Sequence, residues 1–242
     1  MNQRLASSLG YATRRFAEAA VDLLFPKSCV GCNQEGSFLC ESCQEVLVRL
    51  EPPFCLVCCQ PGRLKIRLCP RCWERPLQID SIRAPYRLEG SVREAVYALK
   101  YRGVRALAAT VGELLAQFVD ASTPSADLLV PVPLHPKREK SRGYNQSMLL
   151  AQATGDLLGL PTEAGALRRL RQTPSQAGSA SQEERLANVA GAFWAEPLIV
   201  EGKRVVVVDD VCTTGATLEA CAVALREAGA TSVAGLTLAR EA

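Results

Sequence analysis

Apolar and polar positions follow three different rhythms along this chain of 242 residues, and each predicts a different kind of element. Arg204 to Val208 is a run of valines behind one arginine, as expected of a strand buried in a parallel sheet. Leu218, Ala222 and Leu225 then recur at helical spacing up to Gly229, a suitable stop, and Thr231 to Leu238 predicts the next strand. The unit reads strand–loop–helix–strand. A second buried strand is predicted over Asp127 to Val132, followed by a proline-fixed basic loop and a helix from Asn145 through Leu158. Residues 106–119 predict a further helix, and the Leu99-Lys100-Tyr101-Arg102-Gly103 segment ends the helix before it. At the start, Leu5, Leu9, Ala12, Phe16, Ala19, Ala20, Leu23 and Leu24 keep helical spacing, so residues 1–26 predict an amphipathic helix that ends at Pro26. Its cationic face is weak and lacks Trp, which favours packing on the body over a membrane-surface role. Arg171 to Gln182 has no apolar period and predicts a mobile loop able to close over a ligand.

Composition narrows the class. Hydrophobic residues make up 48% and charged residues 22%, which excludes a wholly disordered chain. No run reaches the roughly 18 apolar residues that span a bilayer, so no transmembrane helix is expected. Residues 1–25 lack a continuous apolar core and do not read as a secretory signal, which points to the reducing cytoplasm. The formal charge of +3 falls entirely within residues 1–78, which hold 10 Lys/Arg and 7 Asp/Glu; the remainder balances 18 against 18. The same segment holds nine of the 11 cysteines. Two regimes of composition predict a Cys-rich module over residues 27–78 and an α/β domain over 79–242.

The cysteines form four CxxC pairs: Cys29/Cys32, Cys40/Cys43, Cys55/Cys58 and Cys69/Cys72, with Cys59 able to replace Cys58. A CxxC turn brings two thiolates to one ion, and two turns complete a tetrahedral Zn2+ site. Export would favour disulfides, and none is expected without it. Spacing leaves sequential, interleaved and single-ion pairings open. Each complete site adds a net charge of −2, so the module's +3 does not establish a positive face. Arg63, Lys65, Arg67, Arg71, Trp73 and Arg75 form the best candidate nucleic-acid patch, with one aromatic to stack on a base.

The sharpest chemistry follows the valine run: Asp209-Asp210-Val211-Cys212, then Thr213-Thr214-Gly215-Ala216-Thr217 opening a helix. Ligands bind beyond the carboxyl ends of strands in open α/β sheets. Free N–H groups and the helix dipole favour an anion there. Two adjacent carboxylates repel phosphate but accept hydrogen bonds from vicinal hydroxyls, so a ribose 5-phosphate satisfies both ends. A plain Asp/Thr-capped turn is the bland alternative. Cys212 is a spacer rather than a nucleophile, and Cys221 is expected to be buried. The lone histidine, His135, is weighed as a general base and as a structural residue. The basic loop after Val132 read alone is a solvated charged segment, but between PVP and RGYNQ its Arg138 and Arg142 are the best phosphate ligands, since arginine grips phosphate oxygens bidentately. Asn145 is a candidate helix cap, and Gln146 is expected to solvate the first turn.

The VVVVDDVCTTGAT segment resembles the 5-phosphoribosyl 1-pyrophosphate (PRPP) signature of type I phosphoribosyltransferases. With the cysteine array, LKYRG, PVPLH…RGYNQ and RQTPSQ…RLANV, nearly the whole chain resembles the competence protein ComF family. The resemblance implies an α/β fold, a type I phosphoribosyltransferase-like parallel sheet flanked by helices, preceded by a small zinc-ribbon module. It implies that Asp209 and Asp210 hold the ribose hydroxyls and residues 213–217 cradle the 5-phosphate. Lys100, Arg171 and Arg185 join the phosphate ligands, Gln176 and Asn188 match the family pattern, and Mg2+ accompanies the pyrophosphate. It also implies a link to the uptake and intracellular handling of transforming DNA. Single-stranded DNA and a helicase or other DNA-processing protein are the expected partners. Three functions follow as candidates: phosphoribosyl transfer, a non-catalytic PRPP- and DNA-binding adaptor, and salvage of a free base.

Overall fold

The computed structural model describes residues 27–62, 67–119, 125–171 and 188–241. The helix expected over residues 1–26 lies outside them, as do Arg185, Gln176 and most of the loop expected to close over a ligand.

Among the described residues, five strands form one parallel sheet. They are β1 (Ser81–Arg83), β2 (Tyr86–Arg87), β3 (Leu128–Pro131), β6 (Arg204–Cys212) and β7 (Ser232–Arg240). The order is β1-β7-β6-β3, with β2 continuing beside β7. Strands β4 (Leu167–Arg169) and β5 (Phe193–Ala195) pair separately and antiparallel. The helices are α1 (Glu41–Glu45), α2 (Pro70–Glu74), α3 (Gly90–Tyr97), α4 (Leu107–Phe118), α5 (Pro136–Arg142), α6 (Gln146–Leu158), α7 (Pro197–Val200) and α8 (Ala216–Glu227). The strand–loop–helix–strand unit read from the valine run is therefore β6, its turn, α8 and β7.

The valine run is apolar throughout because both faces of β6 are covered. Side chains alternate along a strand, so Val206 and Val208 enter one core while Val205 and Val207 enter the other. The first core takes Leu107, Val111 and Leu115 of α4 with Leu150 and Ala151 of α6. The second takes Leu218, Cys221, Ala222 and Leu225 of α8. Gly112 lets α4 and α6 approach closely, since a Cβ there would lie 2.5 Å from Cβ of Ala153. The helices that follow the neighbouring strands β3 and β6 thus lie on opposite faces. That divergence opens a crevice at the carboxyl ends of the two strands.

The cysteine segment is not set apart from these cores. Cys29, Leu39, Cys43 and Leu47 pack in the first core with Val92, Val96 and Leu99. Cys59 is buried in the second, and Cys55, Cys58 and Cys72 form a small cluster of their own.

Candidate functional site

A cleft of about 1290 Å3 opens at that crevice. Its floor is the end of β6 and the entry to α8: Asp209, Asp210, Thr213, Gly215, Ala216 and Thr217 all line it. Gly215 has φ +79°, a left-handed conformation that permits the sharp turn into the helix without a Cβ penalty. Thr214 lies outside the lining. Its hydroxyl accepts from the N–H of Ala216 (3.3 Å), so it serves as a local cap within the turn.

The two carboxylates have different surroundings. Asp210 is 2% exposed, and its Oδ2 lies 2.8 Å from Nζ of Lys100. Lys100 arrives from a wide helical turn, Ala98–Arg102, that extends α3 and stops at left-handed Gly103. Burial opposes the charge on Lys100, but Asp210 and Asp209 together raise its pKa. Asp209 Oδ1 accepts 2.7 Å from Ser147 Oγ and 2.9 Å from the N–H of Asp210. Burial and the adjacent Asp210 push Asp209 up to about 7, against the opposing pull of Lys100 and Ser147.

The lining is also cationic. Arg138, Arg142 and Arg169 belong to it. The segment expected to be a loop is instead the short helix α5, started by Pro136 and ended by left-handed Gly143. Proline is preorganised for a first helical turn, which a reading based on charge overlooks. His135 caps this helix, its Nδ1 accepting from the N–H of Lys137 (3.3 Å), and it is not among the cleft residues. Asn145 caps α6 as expected, its Oδ1 accepting from the N–H of Ser147 (3.0 Å). Gln146 is a correction. It is 3% exposed and accepts from Arg142 through its Oε1, so it orients that arginine instead of solvating a turn. Arg171 is exposed, donates to the carbonyl of Ala190 and stands outside the lining. Asn188 is exposed. Cys212 is buried, and burial pushes its thiol up to about 11 against Arg240, which suits an inert spacer. Cys221 is fully buried on α8.

Sequence reasoning missed Ser147, Arg169, Tyr97 and Tyr101, all placed at or beside the carboxylates and arginines. The tyrosine rings lie 4.9 Å apart at the cleft, with the guanidinium of Arg142 5.8 Å from the Tyr101 ring. The Arg168-Arg169 pair was the only signal for the third arginine.

The eight paired cysteines form two sequential clusters, Cys29/Cys32/Cys40/Cys43 and Cys55/Cys58/Cys69/Cys72. Cys59 is in neither. Within each cluster the sulfurs all lie within 4.8 Å of one another, and Cys32–Cys40 and Cys58–Cys69 are each separated by 3.6 Å. A ZnS4 tetrahedron with bonds of about 2.3 Å has edges of about 3.8 Å, so the donor sets fit Zn2+. The thiols are free, without disulfides. Their acidities point the same way. Burial opposes ionisation of Cys29, yet backbone N–H groups of Cys40, Cys32 and Gly31 hold it down at about 6. In the same crowd, burial and neighbouring thiols push Cys43 up to about 12. Cys55 is held at about 7 by N–H groups despite burial, while burial drives Cys58 to about 12. Four such sulfurs ionise together only around a cation. Of the proposed nucleic-acid patch, Trp73 is 76% exposed, whereas Arg71 turns inward to the carbonyl of Thr214. Arg63 and Lys65 lie outside the described residues.

Known proteins with related sequences can be set beside this geometry. The phosphoribosyl transferase domain family matches residues 147–242. The DNA utilization protein YhgH of Salmonella typhi is 31% identical over 220 residues, covering 81% of this chain and 93% of its own. The competence protein ComFC of Bacillus subtilis is 29% identical over 211 residues, 84% of each chain. Competence protein F of Haemophilus influenzae is 35% identical over 116 residues, 47% of this chain and 50% of its own. Among solved structures, a glutamine PRPP amidotransferase from B. subtilis shares 31% identity over 55% of this chain and 26% of its own, with a TM-score of 0.39. Among the described residues, no helix is long and apolar enough to cross a membrane.

Proposed function

We propose, on the premise that this chain belongs to the family of the DNA utilization protein YhgH and the competence protein ComFC, that its cleft binds PRPP and transfers the phosphoribosyl group. One observation carries the reading. A carboxylate pair, a helix-entry turn with a left-handed glycine, and a wall of three arginines face one crevice. A ribose with an anion at each end matches that division of charge. Asp209, aligned by Ser147, and Asp210, anchored by Lys100, accept the 2′- and 3′-hydroxyls. The N–H groups of the turn entering α8, apart from that of Ala216, which the Thr214 hydroxyl accepts, take the 5-phosphate, with Thr213 and Thr217 beside them. Arg138, Arg142 and Arg169 stabilise the charge that develops on departing pyrophosphate. Holding the sugar at both ends leaves its anomeric carbon open to an acceptor.

Mg2+ belongs to this reading as a companion of the substrate. Lys100 engages Asp210 and Ser147 engages Asp209, and the metal-ligand clusters found among the described residues consist of cysteines alone. Asp209 and Asp210 are the cleft carboxylates that would face such an ion, and Mg2+ bound with the substrate would supply Lewis-acid charge neutralisation to the departing pyrophosphate.

The family link extends the proposal to the handling of incoming single-stranded DNA in the cytoplasm, alongside a helicase or other DNA-processing protein. A second reading keeps PRPP as a sensed ligand and treats the protein as an adaptor for DNA. Exposed Trp73, in a shallow concavity with Leu56, Arg67, Leu68 and Pro70, favours it as a stacking platform. Calorimetry with PRPP, with and without Mg2+, tests the common premise. Pyrophosphate release on adding nucleobases, amines or DNA ends separates the enzyme from the adaptor. No heat of binding in either condition would remove both readings.

A further inference from the structure

Arg71 joins the cysteine segment to the phosphate turn. It sits between Cys69 and Cys72, two thiols of the second cluster, on α2. Its Nη1 donates to the backbone carbonyl of Thr214. A trans peptide holds its C=O and its N–H on opposite sides. With the Thr214 carbonyl drawn toward Arg71, the N–H of Gly215 is turned the other way. Gly215 lines the cleft, and Arg71 is not among the lining residues. The bond therefore aims a backbone donor away from the segment carrying the second cysteine cluster, the knuckle from Cys55 to Cys72, and toward the ligand side. A glycine at φ +79° leaves such a peptide plane free to flip unless something holds it.

The bond to one carbonyl does not by itself account for the placement of this arginine. Among the described residues, its buried Nε and Nη2 have no hydrogen-bond partner. Enclosing a guanidinium with so few acceptors costs more than one neutral carbonyl contributes. The knuckle is nevertheless tied firmly to the same end of the sheet. The N–H of Ile82 donates to Val57 (2.6 Å) and Arg83 Nη1 to Leu56 (2.9 Å). Arg240, 1% exposed, bridges Gln60 of the knuckle to the carbonyl of Cys212 just before the turn.

We propose that Arg71 is a positioning residue for the phosphate turn, and that the second cysteine cluster, by holding Arg71 in place, sets the turn's affinity for its anion. The inference rests on the sugar-phosphate reading of that turn. It makes the cluster a working support of the ligand site as well as a fold-stabilising element.

The test uses the full-length protein as wild type, Arg71→Ala and Arg71→Lys, with ribose 5-phosphate and inorganic pyrophosphate as calorimetric probes. Arg71→Ala weakens ribose 5-phosphate binding by about tenfold to a hundredfold, the range for losing a charge-assisted hydrogen bond. Pyrophosphate binding and zinc content stay at wild-type values. Arg71→Lys keeps a donor and a charge but loses the fork, and it recovers part of the affinity. Should Arg71→Ala fail to fold, the lysine variant carries the comparison. The Gly215 amide resonance and its exchange rate supply a readout without ligand; both change in the variants while amides of β3 do not. Unchanged ribose 5-phosphate affinity with an unchanged Gly215 amide would overturn the proposal. So would an equal loss toward both probes, because that marks general loosening. If wild type ignores ribose 5-phosphate, the sugar-phosphate reading fails by itself, and the Gly215 amide still decides the role of Arg71.

Discussion

Lys100 Nζ lies 2.8 Å from Asp210 Oδ2, tying the end of the α3 extension to the end of β6 inside the cleft. Asp210 is almost wholly buried there and Lys100 is largely so. Removing one member of a buried pair leaves an uncompensated charge and costs about 3 kcal/mol or more. Lys100→Met is therefore expected to lower unfolding stability by about that amount. The double variant Lys100→Met/Asp210→Asn recovers most of it. Urea unfolding of the four proteins in a double-mutant cycle measures the coupling, and purely additive losses would contradict it.

Asp209 predicts an unusual pH dependence. Its folded pKa of about 7 stands above the ordinary 3.8. Between those values the unfolded chain holds fewer protons at this site than the folded one, so stability falls as pH rises from about 4 to about 7. Below about 4 both states are protonated and the site contributes nothing. Above about 7 the penalty is constant. Asp209→Asn loses this slope and gains stability relative to wild type at pH 8. Thermal unfolding from pH 4 to pH 8 compares the two, and parallel curves would refute the assignment.

The cationic wall is expected to act on the leaving group more than on the sugar phosphate. Arg138→Ala and Arg142→Ala each weaken inorganic pyrophosphate binding by about tenfold or more, with ribose 5-phosphate changed far less. Gln146→Leu removes the acceptor that orients Arg142 and gives a smaller loss of the same kind. Calorimetry with both probes reads the difference.

Two zinc ions per chain are expected by elemental analysis. Cys72→Ser removes one ion and destabilises the protein, because the binding free energy of a structural zinc is also folding free energy. Exhaustive chelation lowers the melting temperature and re-addition of zinc restores it. A single ion in wild type would contradict the paired clusters.

On the DNA-handling proposal, Trp73→Ala weakens single-stranded DNA binding by about tenfold, consistent with the loss of one stacked base. Arg67→Ala flattens the salt dependence by about one contact. Fluorescence anisotropy across a salt series measures both.

Several features were legible because they are local. The β6–turn–α8–β7 unit is contiguous, so burial rhythm, an acidic pair and Gly215 all announce it within about forty residues. The four CxxC pairs are equally short-range, and the first of the possible groupings, the sequential one, is the one formed. Where one local cue was outweighed by another, the reading failed: Pro136 and Gly143 bound a helix where charge predicted a loop.

What binds these parts into a site is long-range, and no periodicity carries it. Ser147 meets Asp209, Lys100 meets Asp210, and Arg71 meets Thr214 only because parallel strands bring their carboxyl ends to one edge. Gln146, at the start of α6, and Arg169, on the separate antiparallel strand β4, gained their places through equally long-range packing. Residue types and spacing determined which chemistries the chain can offer, since those depend on a few adjacent groups. Which side chains face one another was decided by the tertiary structure, because burial and charge pairing depend on distance in space and not along the chain.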